Sequence, residues 1–195
     1  MLYEAQFRNP AGAGKLIQAI RDMDLPELRI MEICGTHTMS IAKAGLRQIL
    51  PPHIHLISGP GCPVCVTPSG VMDEVLRISQ LPNVTITTYG DLLRVPGSVP
   101  GDNLQRRSAQ GADVRMVYSP MDSLDMAEQE PDREFIFLGV GFETTAPGTA
   151  IAVQEAKARG RKNFSLLSLL KRTEPAMRAI IESDDFNVSG FLCPG

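Results

Sequence analysis

Tryptophan is absent from the chain, and aromatic side chains make up only 5% of it. That scarcity leaves few aromatics to interleave with basic residues as a nucleic-acid-binding surface would need. Neither sign of charge dominates: 19 Lys and Arg against 22 Asp and Glu leave a formal net charge of -3, which gives no electrostatic reason to expect a phosphate backbone or an anionic membrane as partner. Basic groups such as Arg106-Arg107, 159–162 and Lys171-Arg172 are short, lack interleaved aromatics, and read as solvated faces at helix ends or in loops. Long apolar runs are missing too. None approaches the ~20 residues needed to cross a bilayer, and no charged segment followed by an apolar one opens the chain, so a cytoplasmic location is expected. With only four cysteines, two of them in a C-x-x-C pair and one in a C-x-x-H pair, metal or redox use is expected in preference to disulfide staples.

What the chain does have is alternation. Its 195 residues, 43% of them hydrophobic, are enough to bury a sizeable core. Short β-branched apolar runs at 28–33, 54–57, 84–88, 114–118, 134–140, 164–169 and 188–192 alternate with helical patterns, which predicts an α/β fold of parallel sheets flanked by helices. Leu16, Ile17, Ile20 and Met23 keep a helical period before the first strand, as do Met72, Val75, Leu76 and Ser79 after the second. Pro147 opens a further helix, after Thr144 and Thr145, that Gly160 closes. The Gly- and Pro-rich stretch 89–101 reads as a functional loop. A seam near Ser119-Pro120 divides the expected lobes into 1–118, which carries the cysteine motifs, and 119–195. The end at Cys193-Pro194-Gly195 falls just past a strand, so a truncated chain is expected.

Two cysteine constellations follow apolar strands. In Glu32-Ile33-Cys34-Gly35-Thr36-His37-Thr38 the strand runs directly into a thiol and an imidazole. Ligands of open parallel sheets bind outside the carboxyl ends of the strands, where Cys34 and His37 would stand, with Thr36 or Thr38 capping the next helix. The alternative is a buried structural cysteine beside a loop histidine. In Ser58-Gly59-Pro60-Gly61-Cys62-Pro63-Val64-Cys65-Val66-Thr67-Pro68 two thiols stand two residues apart, with Thr67 and Pro68 expected at the N-cap and first position of a helix. Adjacent strands would gather Cys34, Cys62, Cys65 and His37. That set suits a tetrahedral zinc site, redox-linked handling of a softer or transient metal, or thiol–disulfide exchange, and spacing does not separate these.

A third candidate, Gly139-Val140-Gly141-Phe142-Glu143-Thr144-Thr145, offers either a tight strand-to-helix turn with hydroxyl capping or a carboxylate, Glu143, at a sheet edge. Its glycines lack the third member of a dinucleotide fingerprint. Cys193 has no visible ligand partner and is expected to be structural. His53 and His55 are expected to be surface or satisfied histidines, and methionines such as Met72, Met116 and Met177 to fill the core.

Taken together and in order, Cys-Gly-Thr-His-Thr at 34–38, Gly-Pro-Gly-Cys-Pro-Val-Cys at 59–65 and Gly-Phe-Glu-Thr-Thr at 141–145 resemble the HypD family of hydrogenase maturation proteins, with support from Ser119 to Leu124 and from the closing Leu-Cys-Pro-Gly. The likeness covers essentially the whole chain. It implies two Rossmann-like lobes facing a cleft, and a scaffold, not a simple turnover enzyme, on which the Fe(CN)2CO moiety of nickel-iron hydrogenase is assembled. It further implies HypC as partner, HypE with HypF as cyanide donor, and the hydrogenase large subunit as indirect recipient. Carried over to this chain, Cys34 would bind iron, His37 would neighbour it, and Cys62 with Cys65 would form a redox dithiol. Glu143, Thr144 and Thr145 would complete the cleft. Family members continue into a region whose cysteines hold an iron-sulfur cluster, and those ligands are not among these 195 residues.

Overall fold

The computed structural model describes residues 9–193. The chain is α/β, with two sheets in which every strand pairing is parallel. In order, the elements are α1 (Pro10–Arg21), β1 (Leu28–Glu32), α2 (Gly35–Lys43), α3 (Leu46–Ile49), β2 (Ile54–Ser58), α4 (Ser69–Ile78), β3 (Val84–Thr88), a 3-10 turn (Gly90–Arg94) and α5 (Leu104–Ala109). There follow β4 (Asp113–Met116), α6 (Pro120–Gln129), β5 (Glu134–Gly141), α7 (Ala146–Ala158), β6 (Phe164–Leu170), α8 (Thr173–Ile181) and β7 (Gly190–Leu192).

Two compact units result, one from Met1–Cys62 with Met177–Gly195 and the other from Pro63–Ala176. The Ser119-Pro120 position lies inside the second unit, between β4 and α6. The first unit holds the sheet β2-β1-β7, whose middle strand carries Glu32 opposite both Ser58 and Leu192. The last strand thus returns to pair with the first. Its ladder begins at Gly190, not at 188, because the Arg29 N–H goes to the Ser189 hydroxyl at 3.0 Å instead of to a main-chain carbonyl. Asn9 caps α1 by accepting from the N–H groups of Ala11 and Gly12, and Pro10 follows at the first helical position. The apolar stripe expected on that helix is only half covered: Ile17 and Ile20 are partly buried, whereas Leu16 and Met23 are exposed.

The second unit is built on β4-β3-β5-β6. All five residues of β3 are buried, as a central strand covered on both faces should be. Met72, Val75 and Leu76 of α4 pack with Ile86, Leu138, Val140 and Leu169 in one apolar cluster, and burying each such side chain contributes roughly 1.5–3 kcal/mol. Tyr89 stands edge-on to Phe137, ring centroids 5.5 Å apart. The stretch 89–101 is not all loop, because Leu92, fully buried in that cluster, draws Gly90–Arg94 into a 3-10 turn. β4 stops at Met116, short of the expected 118: Asp122 of α6 accepts the N–H groups of Tyr118 and Ser119, which closes a capping box with Ser119. Met116 is correspondingly exposed, against the expectation of a core residue, while Met72 is fully buried as expected.

Candidate functional site

The site begins where β1 stops. Ile33 is buried and still pairs with β7, its N–H donating to the Leu192 carbonyl at 3.2 Å. Cys34 follows with extended φ and ψ of -151° and 126° and occupies the N-cap of α2. Its side chain makes no capping bond, and neither Thr36 nor Thr38 caps the helix, because the helix already begins at Gly35. The Thr38 N–H instead returns to the Cys34 carbonyl at 3.1 Å, closing the first turn. Cys34 is thus held by main-chain geometry at the N-terminal end of a nine-residue helix, where the helix dipole is positive.

The loop after β2 crosses this turn closely. The Gly59 N–H donates to the Glu32 carbonyl at 2.8 Å, and the Gly35 N–H donates to the Gly61 carbonyl at 3.4 Å. A Cβ on Gly61 would overlap the Ile33 carbonyl group and the Cys34 nitrogen, and one on Gly59 would come within 2.7 Å of the Met31 sulfur. Glycine is required at both places so that one backbone can lie on the other. Cys62 comes next, with its Cβ 3.9 Å from where a side chain on Gly35 would begin. The first unit therefore sets Cys34 and Cys62, both partly buried, on neighbouring loops that touch at Gly35 and Gly61, with His37 in the first turn of the helix that Cys34 opens. His37 is partly buried, and its Nδ1 is enclosed with no hydrogen-bond partner among the described residues.

Cys65 is exposed and belongs to the second unit, in the turn before α4. Pro68, not Thr67, is the N-cap of that helix, and the Thr67 hydroxyl donates backwards to the Pro63 carbonyl at 3.0 Å. Val64 between the two cysteines packs against the apolar cluster of the second unit. Among the described residues no three or more His, Cys, Asp or Glu side chains are grouped to hold a metal ion by themselves.

Glu143 also lies in the second unit and is exposed. It accepts the Thr173 N–H at 2.7 Å and the Thr173 hydroxyl at 2.8 Å, at the start of α8. Its own backbone N–H, then the N–H and hydroxyl of Thr173, hold its carboxyl below the usual range. Thr145 is the N-cap of α7 without a side-chain capping bond, and Thr144 is exposed, so the hydroxyl capping expected of this pair does not form. The close turn is real: a Cβ on Gly141 would collide with the Thr145 side chain.

Cys193 is exposed, one residue past β7. His55, exposed, faces Glu27 at 3.4 Å, whereas His53, expected to be a surface or satisfied histidine, is partly buried and encloses an Nε2 with no partner among the described residues. Glu32 was not legible as a site residue. It reads as the polar end of a strand, yet it is buried and its Oε1 accepts the Thr38 hydroxyl at 2.7 Å. The signal available was its place two residues before Cys34, on the same face of an extended strand.

Comparison with known proteins agrees with the motifs. Residues 12–195 match the family model HypD, described as "Hydrogenase formation hypA family". The chain is 44% identical over 203 aligned positions to the hydrogenase maturation factor HypD of Escherichia coli K12, covering all of this chain and 54% of that protein. It is 42% identical to HypD2 of Bradyrhizobium diazoefficiens and 43% identical to HypD of Rhodobacter capsulatus, with all of this chain and 53% of each relative covered. The chain thus spans about half the length of the curated relatives it matches. On the family match and these identities, the chain belongs to the HypD family.

Proposed function

We propose that this chain is the thiol-bearing half of a hydrogenase maturation factor, on which iron is held through Cys34 while the Fe(CN)2CO moiety of nickel-iron hydrogenase is assembled. The observation that carries this reading is the crossing of the two cysteine loops, which sets Cys34 at a helix N-cap beside Cys62, in a chain whose relatives are named hydrogenase maturation factors. Iron here is cargo. A single protein thiolate binds it and leaves its other positions to incoming ligands, and soft sulfur donors suit such a metal. His37 stands on the same helical turn as Cys34, and Cys62 with Cys65 supplies a dithiol able to give two electrons and two protons on closing to a disulfide. Glu143, Thr144 and Thr145, which the family resemblance adds as functional residues, lie in the second unit.

The partners in this reading are HypC, which shares the iron, HypE with HypF as cyanide source, and indirectly the hydrogenase large subunit. The iron-sulfur cluster belongs to the part of the family's length that these residues do not span. Work in the cytoplasm accords with helices among the described residues that are all too short or too polar to cross a membrane. The test is anaerobic co-purification of the full-length protein with HypC, followed by metal analysis and infrared spectroscopy. Iron with cyanide and carbon monoxide bands supports the scaffold. Stoichiometric zinc without such bands favours a zinc-stabilised module, and a metal-free protein that reduces disulfides favours a thiol–disulfide oxidoreductase.

A further inference from the structure

Glu32 is 1% exposed, and among the described residues it is the ionisable side chain in the set of buried polar groups. Burying a carboxyl group is unfavourable unless its oxygens are engaged, so its presence calls for a reason. One oxygen is engaged: Oε1 accepts the Thr38 hydroxyl at 2.7 Å, while Oε2 is enclosed without a partner among the described residues. The same residue's main-chain carbonyl accepts the Gly59 N–H at 2.8 Å. Its backbone therefore ties down the loop that leads to Cys62, and its side chain ties down the helical turn that starts at Cys34. Thr38 closes the circuit, because its own N–H is bonded to the Cys34 carbonyl at 3.1 Å.

We propose that Glu32 is the positioning residue of the thiol site, holding the first turn of α2 through Thr38 so that Cys34 stays at the N-cap beside the Cys62 loop. The inference rests on the reading of Cys34 as the working thiol, but the brace can be tested without iron. In the full-length protein, the alkylation rate of Cys34 by iodoacetamide is followed by site-resolved mass spectrometry, with Cys193 as internal reference. Loss of the brace in Thr38→Val or Glu32→Ala releases the partly buried Cys34 and raises its rate about fivefold, which RT converts to about 1 kcal/mol, the size of one hydrogen bond. Thr38→Ser, which keeps the hydroxyl, and Glu32→Gln, which keeps an acceptor oxygen, restore the parent rate, and Cys193 is unaffected throughout. Unchanged Cys34 kinetics in Thr38→Val, an equal rise at Cys193, or failure of Thr38→Ser to restore the rate overturns the proposal. Should Glu32→Ala fail to fold, the Thr38 pair decides alone. Iron retention by Cys34→Ala is a separate measurement: iron kept there defeats the functional reading and leaves the brace standing on its own result.

Discussion

Gly61 lies against Ile33 so closely that a single added Cβ would fall within the Ile33 carbonyl group. The obstruction is main chain, which no side-chain rotation can clear. Gly61→Ala is therefore expected to destabilise the first unit at the upper end of the roughly 1–3 kcal/mol usual for overpacking, and to part the Cys62 loop from the Cys34 turn. Denaturant unfolding together with Cys34 alkylation checks this. Parent stability with parent reactivity in the variant would show that the two loops do not need the close approach.

Glu143 links pH to the start of α8. Its folded pKa lies below the ordinary value of 4.5, held there by its own N–H and by the N–H and hydroxyl of Thr173. A depressed carboxyl contributes stability above its unfolded pKa and loses it as pH falls through the folded value. Glu143→Gln should accordingly be less stable than the parent at neutral pH, and the two thermal midpoints should converge as pH drops below about 4.5. A gap that stays constant into acid would mean that ionisation of Glu143 contributes nothing.

Much of the fold was legible because its strands are short β-branched runs bounded by Gly, Pro and polar turns, and all seven expected strands form. The placement of Cys34 at a strand end was legible for the same reason. Strand order was not. The return of β7 to pair with β1 joins residues some 160 positions apart, as in the Arg29 to Ser189 bond, and no local pattern encodes that choice. The division of the chain follows from the same long-range pairing, which assigns the last strand to the first unit. Caps were misplaced for a local reason: Thr38 and Thr67 have hydroxyls that found Glu32 and the Pro63 carbonyl instead of helix N–H groups. Glu32 was missed because burial is a tertiary property that its charge argues against.

Cys62 is partly buried and Cys65 exposed, so Cys65 is the first to meet a reagent. Oxidation with diamide should close the pair to a disulfide, the two thiols giving up two electrons and two protons to the diazene, and mild dithiol treatment should reopen it. Counting alkylated cysteines by mass before and after reduction tests this. Full labelling of both after diamide, with stoichiometric zinc bound, would contradict a redox dithiol.

Iron content per chain is the most direct measurement of the central claim, compared between the parent, Cys34→Ala and Cys193→Ala, each purified anaerobically as full-length protein with HypC. Cys34 takes no part in the apolar core, so its removal should leave the unfolding midpoint near that of the parent. The account predicts that Cys34→Ala loses iron together with the cyanide and carbon monoxide infrared bands, while Cys193→Ala keeps both. Iron and infrared bands retained at parent level in a folded Cys34→Ala protein would contradict it.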